Sequence, residues 1–238
     1  MREQLEIVDL GTVEYQQAHA LQQALVAARL RDQIADSLLV LQHPHIYTLG
    51  RGADEKFILA PRPTVPVVRV SRGGQVTYHG PGQLVAYPIL KLEGPARDVG
   101  HYLRQLEQVI IDTLAQHGVC AERRDRFTGV WIGARKIASI GVGIRRWVTY
   151  HGFALNLSTN LSYFDSIVPC GIEGCQMTSL AQLGRTDIGI GEFTNSLCEN
   201  FGRVFGYAKL THLSGDTIWS RSEVRPASAE PTGNEARG

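Results

Sequence analysis

A long amphipathic helix followed directly by three strand-like segments constrains the fold of this chain more than any other feature. Residues 98–117, DVGHYLRQLEQVIIDTLAQH, carry apolar residues at helical spacing, with Asp98 as the expected N-cap and Gly118 just beyond the end. The strand-like segments are residues 128–132, 136–144 and 148–157. Because helices and strands are segregated rather than alternating, an α+β fold is expected, with a mixed, largely antiparallel sheet flanked by helices.

Shorter patterns predict the remaining elements. Helices are also expected at residues 13–31 and 193–206, and strands at residues 37–42, 67–70 and 84–92. No boundary divides residues 1–220, which are therefore expected to form a single domain. Residues 221–238 are polar, contain two prolines and show no apolar period, so a disordered tail is expected there.

Charge and hydropathy exclude several classes of protein. The 238 residues include 24 Lys and Arg against 23 Asp and Glu, a net charge of +1, which excludes a strongly basic nucleic-acid-binding protein. No apolar run approaches the roughly 18 residues of a membrane span. The first residues, MREQLEIVDLG, do not resemble a secretory signal. A cytoplasmic protein without membrane or nucleic-acid contacts is therefore expected.

The four cysteines, Cys120, Cys170, Cys175 and Cys198, are not spaced like metal ligands. No pair forms CxxC and no HxxxH complements them, so no metal site is expected. Disulfides are not expected in a cytoplasmic chain either. Cys170 and Cys175 each lie on a glycine-containing loop that could present a sulfur as a nucleophile, although cysteine is more often a small buried hydrophobe. These local features do not choose between the two.

The densest cluster of polar residues and glycines is Ser71–Gln83, SRGGQVTYHGPGQ. Its glycines admit positive φ and close approach of the backbone to a ligand. It matches neither the phosphate-binding pattern GxxxxGK[ST] nor a GxGxxG that opens a helix. Two interpretations stay open, a ligand-binding loop or a pair of hairpin turns with Arg72 and His79 solvated.

Lys136 lies at the exit of an expected tight turn, Gly133-Ala134-Arg135. A lysine at such a position is either solvated or leans over a partly apolar cleft. The alternation of the following strand places Lys136, Ala138, Ile140 and Val142 on one face, and Ile137, Ser139 and Gly141 on the other.

Three segments taken together resemble the lipoyl(octanoyl) transferases of lipoate biosynthesis. They are RGGQVTYHGPGQLVAYPI, GVWIGARKIASIGVGIRRWVTYHGFALN and PCGIEGCQMTSL, in the order in which the family has them. The resemblance covers about residues 36–185. It implies the fold of the lipoate-protein ligases and of the biotin-protein ligase catalytic domain, a mixed sheet flanked by helices. It also implies an octanoyltransferase, which moves an octanoyl group from acyl carrier protein, through a cysteine thioester, to a lysine of a lipoyl domain.

The resemblance also assigns the site residues. Cys170 matches the acyl-accepting cysteine, and Lys136 matches the lysine that works with it. The substrate-binding positions are Arg72, Gly73, Gly74, Gln75, Val76, Thr77, Tyr78 and His79, then Ser139, Ile140 and Gly141, and finally Gly152, Phe153 and Ala154. The expected walls of the octanoyl slot are Tyr78, Ala138, Ile140, Phe153 and Ala154. Six buried methylenes would contribute about 5 kcal/mol there before binding costs. His79 has a supporting role, and backbone N–H groups near Gly141 or Gly171 are candidate oxyanion donors.

The implied partners are octanoyl-acyl carrier protein as donor, and lipoyl domains of 2-oxoacid dehydrogenase complexes and the glycine cleavage H protein as acceptors. No cofactor is expected. The arginine pairs at residues 123–124 and 145–146 are candidate docking points for acidic domains, or are merely solvated. Two alternative functions stay open, an ATP-dependent lipoate- or octanoate-protein ligase, which needs no cysteine nucleophile, and a non-catalytic acyl-binding module.

Overall fold

The computed structural model describes residues 2–222. The strands are β1 (Arg2–Thr12), β2 (Asp36–Gln42), β3 (Ile46–Leu49), β4 (Val67–Arg69), β5 (Val76–His79), β6 (Gln83–Ile89), β7 (Glu122–Arg124), β8 (Phe127–Ile132), β9 (Arg135–Arg145), β10 (Val148–Asn156), β11 (Gln176–Met177) and β12 (Tyr207–Leu213). The helices are α1 (Tyr15–Leu30), α2 (Val99–Gln116), α3 (Ile190–Phe205) and α4 (Gly215–Ser222), alongside short 3₁₀ turns.

Nine of the described strands form one sheet, in the order β12–β1–β2–β6–β10–β9–β8–β7, with β11 paired to β9. All neighbours from β2 to β7 are antiparallel. The pairs β12–β1, β1–β2 and β11–β9 are parallel. A second sheet has the order β4–β3–β5. The α+β fold with a mixed, largely antiparallel sheet is confirmed.

The helix α2 forms as its sequence predicts. The side chain of Asp98 accepts a hydrogen bond from the backbone N–H of His101, and Gly118 adopts a left-handed φ of 72° just after the helix. Four residues of the apolar stripe of α2, Leu106, Val109, Ile110 and Leu114, are fully buried against the sheet and α3. At about 2 kcal/mol for each large apolar side chain, this face contributes most of the stability of the helix.

The central sheet is covered on both faces. Alternate residues of β2 serve the two sides, since Leu38 and Val40 pack in the core under α2 and α3, whereas Leu39 and Leu41 pack under α1. A strand that is buried on both faces reads as a continuous apolar run, which is why residues 37–42 could be predicted as a strand.

Several secondary-structure elements were not expected from the sequence. The strands β1, β3, β5, β7, β11 and β12 and the helix α4 were not predicted. The strand β5 lies inside the segment interpreted as a loop, where its four residues, VTYH, are β-branched or aromatic.

The predicted start of the tail at residue 221 is wrong. Arg221 and Ser222 belong to α4, and the Arg221 guanidinium donates to the carboxylate of Glu6 at 3.0 Å. Residues 223–238, on which the rest of that prediction falls, lie outside the described residues.

Candidate active site

The loop that follows β10 brings Cys170 against the start of β9. The Cys170 Sγ lies 3.2 Å from the Lys136 Nζ and 3.7 Å from the Ser139 Oγ. Cys170 has a left-handed backbone, with φ 57° and ψ 14°, and Gly171 follows with φ 68°. Non-glycine residues in this region are uncommon and concentrate at functional sites, because the surrounding structure must hold them there.

A bulge between β8 and β9 places Lys136 and Ser139 on the same side. Val130 pairs with Ala138, but the next residue, Trp131, pairs with Lys136, so β9 holds one extra residue. The prediction that regular alternation puts Lys136 and Ser139 on opposite faces of this strand is therefore wrong.

Lys136 is buried, with only 1% of its surface exposed. Its ammonium donates to the Thr128 carbonyl at 3.0 Å and lies 5.5 Å from the centre of the Trp131 ring. The interpretation of Lys136 as a solvated residue at a turn exit is excluded. A buried ammonium needs a counter-charge, and the sulfur of Cys170 is in place to be one.

Gly129 makes room for this lysine, and the sequence analysis missed it. A Cβ at Gly129 would lie 2.5 Å from the Lys136 Cε and 2.6 Å from the Ala138 carbonyl oxygen, and its φ is 133°. Both the space and the backbone conformation require glycine. The signal in the sequence was a glycine inside a strand pattern, which marks a bulge or a close approach.

The two loop cysteines differ in acidity. Burial raises the pKa of Cys170, but the charge and hydrogen bond of Lys136, the Ser139 hydroxyl and the Arg72 charge outweigh it and bring the pKa below its ordinary value. Burial raises the pKa of Cys175 above its ordinary value. Cys170 is thus the more acidic thiol of the two, with the larger fraction of thiolate at neutral pH.

A cleft of about 650 Å³ opens beside Cys170 and Lys136. It brings together nearly all of the predicted substrate-binding residues, namely Arg72, Gly73, Gly74, Gln75, Val76, Thr77, His79, Ser139, Ile140, Gly141, Gly152, Phe153 and Ala154. The exception is Tyr78, whose ring is buried in a separate cluster with Tyr47 and Phe164. There its hydroxyl lies 2.7 Å from the His45 Nδ1, and its ring stacks on Tyr163. Ala138 is packed in the core under α2 and does not line the cleft either. The predictions of Tyr78 and Ala138 as walls are therefore wrong.

Arg72 holds the glycine-rich loop rather than facing solvent. Its buried guanidinium donates to the carbonyls of Gly73 at 3.0 Å, Gln75 at 2.9 Å and Thr48 at 2.7 Å. His79 is also buried, with its Nδ1 2.7 Å from the Gln83 Oε1. The interpretation in which Arg72 and His79 are solvated is excluded.

Other lining residues come from elements far apart in the sequence. Tyr15 of α1, Tyr87 of β6 and His151 of β10 also line the cleft. The Tyr15 hydroxyl lies 3.5 Å from the His151 Nδ1. Burial raises the pKa of Tyr15 to about 12 and lowers that of His151 to about 3, so both are neutral at pH 7.

The structure also bears on the candidate oxyanion donors and on the candidate docking arginines. The N–H of Gly171 already donates to the Val168 carbonyl at 3.0 Å, so it is not free as an oxyanion donor. Arg123 is engaged by Glu107, whereas Arg145 and Arg146 make no side-chain hydrogen bond or ion pair within residues 2–222.

The described residues hold neither a cluster of metal-ligating side chains nor a membrane-spanning helix. Within residues 2–222, no three His, Cys, Asp or Glu side chains are grouped so that they could hold a metal ion. Over the same residues, every helix is too short or too polar to cross a membrane.

Known proteins match this chain over most of its length. Residues 14–202 match the lipoyl protein ligase A/B catalytic domain. The octanoyltransferase of Solibacter usitatus is 49% identical over 210 residues, which cover 86% of this chain and 94% of that protein. The octanoyltransferase of Geobacter metallireducens is 45% identical over 195 residues, which cover 82% and 91%.

The fold is also found in a solved structure from Thermoplasma acidophilum, described as a bi-partite lipoate protein ligase and its E2 lipoyl domain. The TM-score is 0.71 at 14% identity, over 93% of this chain and 91% of that one. The chain therefore belongs to the lipoyl protein ligase A/B catalytic domain family and, within it, to the octanoyltransferases, the acyltransferases that carry out octanoyl transfer in lipoate biosynthesis.

Proposed function

We propose that this octanoyltransferase works through a thioester on Cys170, with octanoyl-acyl carrier protein as donor and the lysine of a lipoyl domain as acceptor. The observation that carries the proposal is the 3.2 Å contact between the Lys136 Nζ and the Sγ of a left-handed Cys170, at a largely apolar cleft. A ligase that activates a free acid with ATP has no use for such a pair.

In the first half of the reaction, the Cys170 thiolate attacks the carbonyl carbon of the donor thioester. The tetrahedral intermediate collapses with loss of the carrier thiolate, which takes a proton from the Lys136 ammonium. One thioester is exchanged for another, so the step is close to neutral in free energy. Cys170 is left acylated and Lys136 neutral.

In the second half, the neutral Lys136 takes a proton from the ammonium of the incoming acceptor lysine. The free amine attacks the acyl carbon on Cys170, an amide forms and the C–S bond breaks. One proton leaves to solvent, and the thiolate–ammonium pair is restored. Formation of an amide from a thioester is downhill, which drives the transfer.

Separating the halves suits two protein substrates. Each must bring one flexible arm to the sulfur, and a covalent intermediate allows them to dock one after the other. The glycine-rich loop held by Arg72 and the strands β9 and β10 would enclose the acyl chain during the exchange. As the resemblance of the sequence to the octanoyltransferases implies, the acceptors are the lipoyl domains of 2-oxoacid dehydrogenase complexes and the H protein.

Intact mass spectrometry after mixing the protein with octanoyl-acyl carrier protein, without ATP, tests the proposal. The expected product carries one octanoyl group on the peptide that contains Cys170, and loses it when a lipoyl domain is added. Cys170→Ala is expected to form no adduct, whereas the matched Cys175→Ala forms it normally. Acylation of the Cys170→Ala protein, or a lipoyl domain modified only when octanoate and ATP are present, would refute the thioester route.

A further inference from the structure

Tyr15 lies between the active-site cleft and a second, neighbouring cavity. Within residues 2–222, Tyr15 alone lines both the cleft of about 650 Å³ and a neighbouring cavity of about 470 Å³. The second cavity lies between the first turns of α1, including His19, and the segment Val68–Ser71 that follows β4 and leads into the glycine-rich loop. Removal of the Tyr15 ring would therefore join the two spaces.

Hydrogen bonds hold this partition together. The Tyr15 hydroxyl lies 3.5 Å from the His151 Nδ1, and the His151 Nε2 lies 3.2 Å from the Ser71 Oγ. The ring of His19 stacks on His151 from the side of the second cavity, with 5.4 Å between centroids. Tyr15 and His151 are 3% and 1% exposed. We name Tyr15, His151 and Ser71 the acyl-end wall.

Along β10, the spacing from the strand position beside the cysteine to this wall is comparable to the length of an octanoyl chain. Ser139, which contacts the Cys170 sulfur, pairs with Ala154 of β10. His151 lies three residues back along β10, or about 10 Å at about 3.4 Å per residue. An extended octanoyl group has seven C–C bonds of about 1.5 Å and, with its zigzag, a length of about 9 Å.

The polar groups of the wall suit a terminal methyl group. The Tyr15 hydroxyl and both His151 nitrogens face protein partners. The hydroxyl of Tyr87 is bonded to the His43 Nε2 at 2.7 Å. Because these hydroxyls and ring nitrogens already have protein partners, an apolar chain end that reaches the wall strips little water from them.

We infer that the acyl-end wall sets the upper limit on acyl-chain length, and that the ring of Tyr15 is its specificity-determining part. The inference rests on the proposed function, because it takes the chain to be anchored at Cys170. It predicts that an enlarged site takes saturated acyl thioesters of about twelve carbons, whose extra methylenes enter the second cavity.

Rates of thioester formation on Cys170 with octanoyl- and dodecanoyl-acyl carrier protein test this inference. Each extra buried methylene strengthens binding about fourfold. Tyr15→Ala is therefore expected to raise the dodecanoyl-to-octanoyl ratio at least about tenfold over wild type. Tyr15→Phe, which keeps the ring and loses the hydroxyl, is the matched control and is expected to keep the wild-type ratio.

His151→Gly opens the wall from its other side and suits the left-handed φ of 54° at this position. It keeps the inference testable if Tyr15→Ala does not fold, and it is expected to raise the same ratio. An unchanged ratio in a folded variant that still forms the octanoyl thioester overturns the inference. Absence of the octanoyl thioester on wild-type protein would instead refute the proposed function.

Discussion

At the scale of single residues, the acidity of Cys170 depends on a side chain 34 positions away in the sequence. Burial alone would raise the pKa of this thiol and leave it a weak nucleophile. The buried ammonium of Lys136 reverses that effect. The pair is stable because each partner supplies the counter-charge that the other lacks in a site shielded from water.

Replacing Lys136 with Met keeps an apolar stem of similar length and removes the charge. The pKa of Cys170 should then rise, because burial is no longer opposed by the ammonium. At pH 7 the rate of alkylation of Cys170 by iodoacetamide is expected to fall at least about tenfold, with the inflection of the rate moved to higher pH. Cys175, followed in the same sample by peptide mapping, is the internal control. An unchanged inflection for Cys170 would remove Lys136 from the pair.

Residue patterns alone could not choose between Cys170 and Cys175. Both lie on loops with glycine, so the local backbone freedom is similar. What distinguishes them is the distance to one ammonium, a tertiary contact. The resemblance to the octanoyltransferases pointed to Cys170. The geometry gives the physical reason for the difference in acidity between the two thiols.

At the scale of elements, the bulge between β8 and β9 assembles the reactive groups. It brings Lys136 and Ser139, three residues apart, to one sulfur. It also needs a residue without a side chain where the Lys136 stem crosses β8, and Gly129 is that residue. If the proposed role of Cys170 holds, the bulge is a functional feature of the sheet rather than an irregularity.

Gly129→Ala should damage the site and the fold together. The added methyl would collide with the Lys136 stem and the Ala138 carbonyl, and alanine is strained at a φ of 133°. We expect a loss of about 2–3 kcal/mol in the free energy of unfolding by urea, and slower alkylation of Cys170.

Gly133→Ala is the matched control for strain without collision. Gly133 lies in the turn before β9 with φ 55°, and a Cβ there meets nothing within 4 Å. This variant is expected to lose about 1 kcal/mol of stability and to keep the alkylation rate of Cys170. Equal alkylation rates in the two variants would show that Gly129 does not position the lysine.

Elements with strong periodicity were predictable, and those defined by their partners were not. The helix α2 followed from its apolar stripe and its cap, and β8, β9 and β10 from alternation bounded by turns. The strand β1 shows no clear apolar period. Its place in the sheet is set by pairing with β2 and β12, two strands whose proximity the local sequence does not reveal. The side assignments along β9 failed at the bulge, since one extra residue reverses the alternation.

At the scale of the whole molecule, burial keeps several histidines neutral beneath the active-site cleft. His43 illustrates how this is achieved. Its Nδ1 lies 2.6 Å from the Val13 carbonyl and therefore donates, whereas its Nε2, 2.7 Å from the Tyr87 hydroxyl, accepts. Burial lowers the pKa of His43 to about 4, and that of His151 to about 3. The sequence showed these histidines only as scattered residues, because the fold alone brings them together.

This burial predicts how stability depends on pH. Between pH 6.5 and about 4, the unfolded chain binds a proton at His43 that the folded chain does not, so the free energy of unfolding falls as the pH is lowered through this window. The loss attributable to His43 is about 3 kcal/mol, fully recovered above pH 6.5.

His43→Gln can donate to Val13 and accept from Tyr87 without titrating. Urea unfolding from pH 7.5 to 4 should therefore show a shallower pH dependence for this variant, whereas His101→Gln, at an exposed position on α2, should behave as wild type. Identical pH dependence in wild type and His43→Gln would mean that His43 is not the group that destabilises the fold in acid.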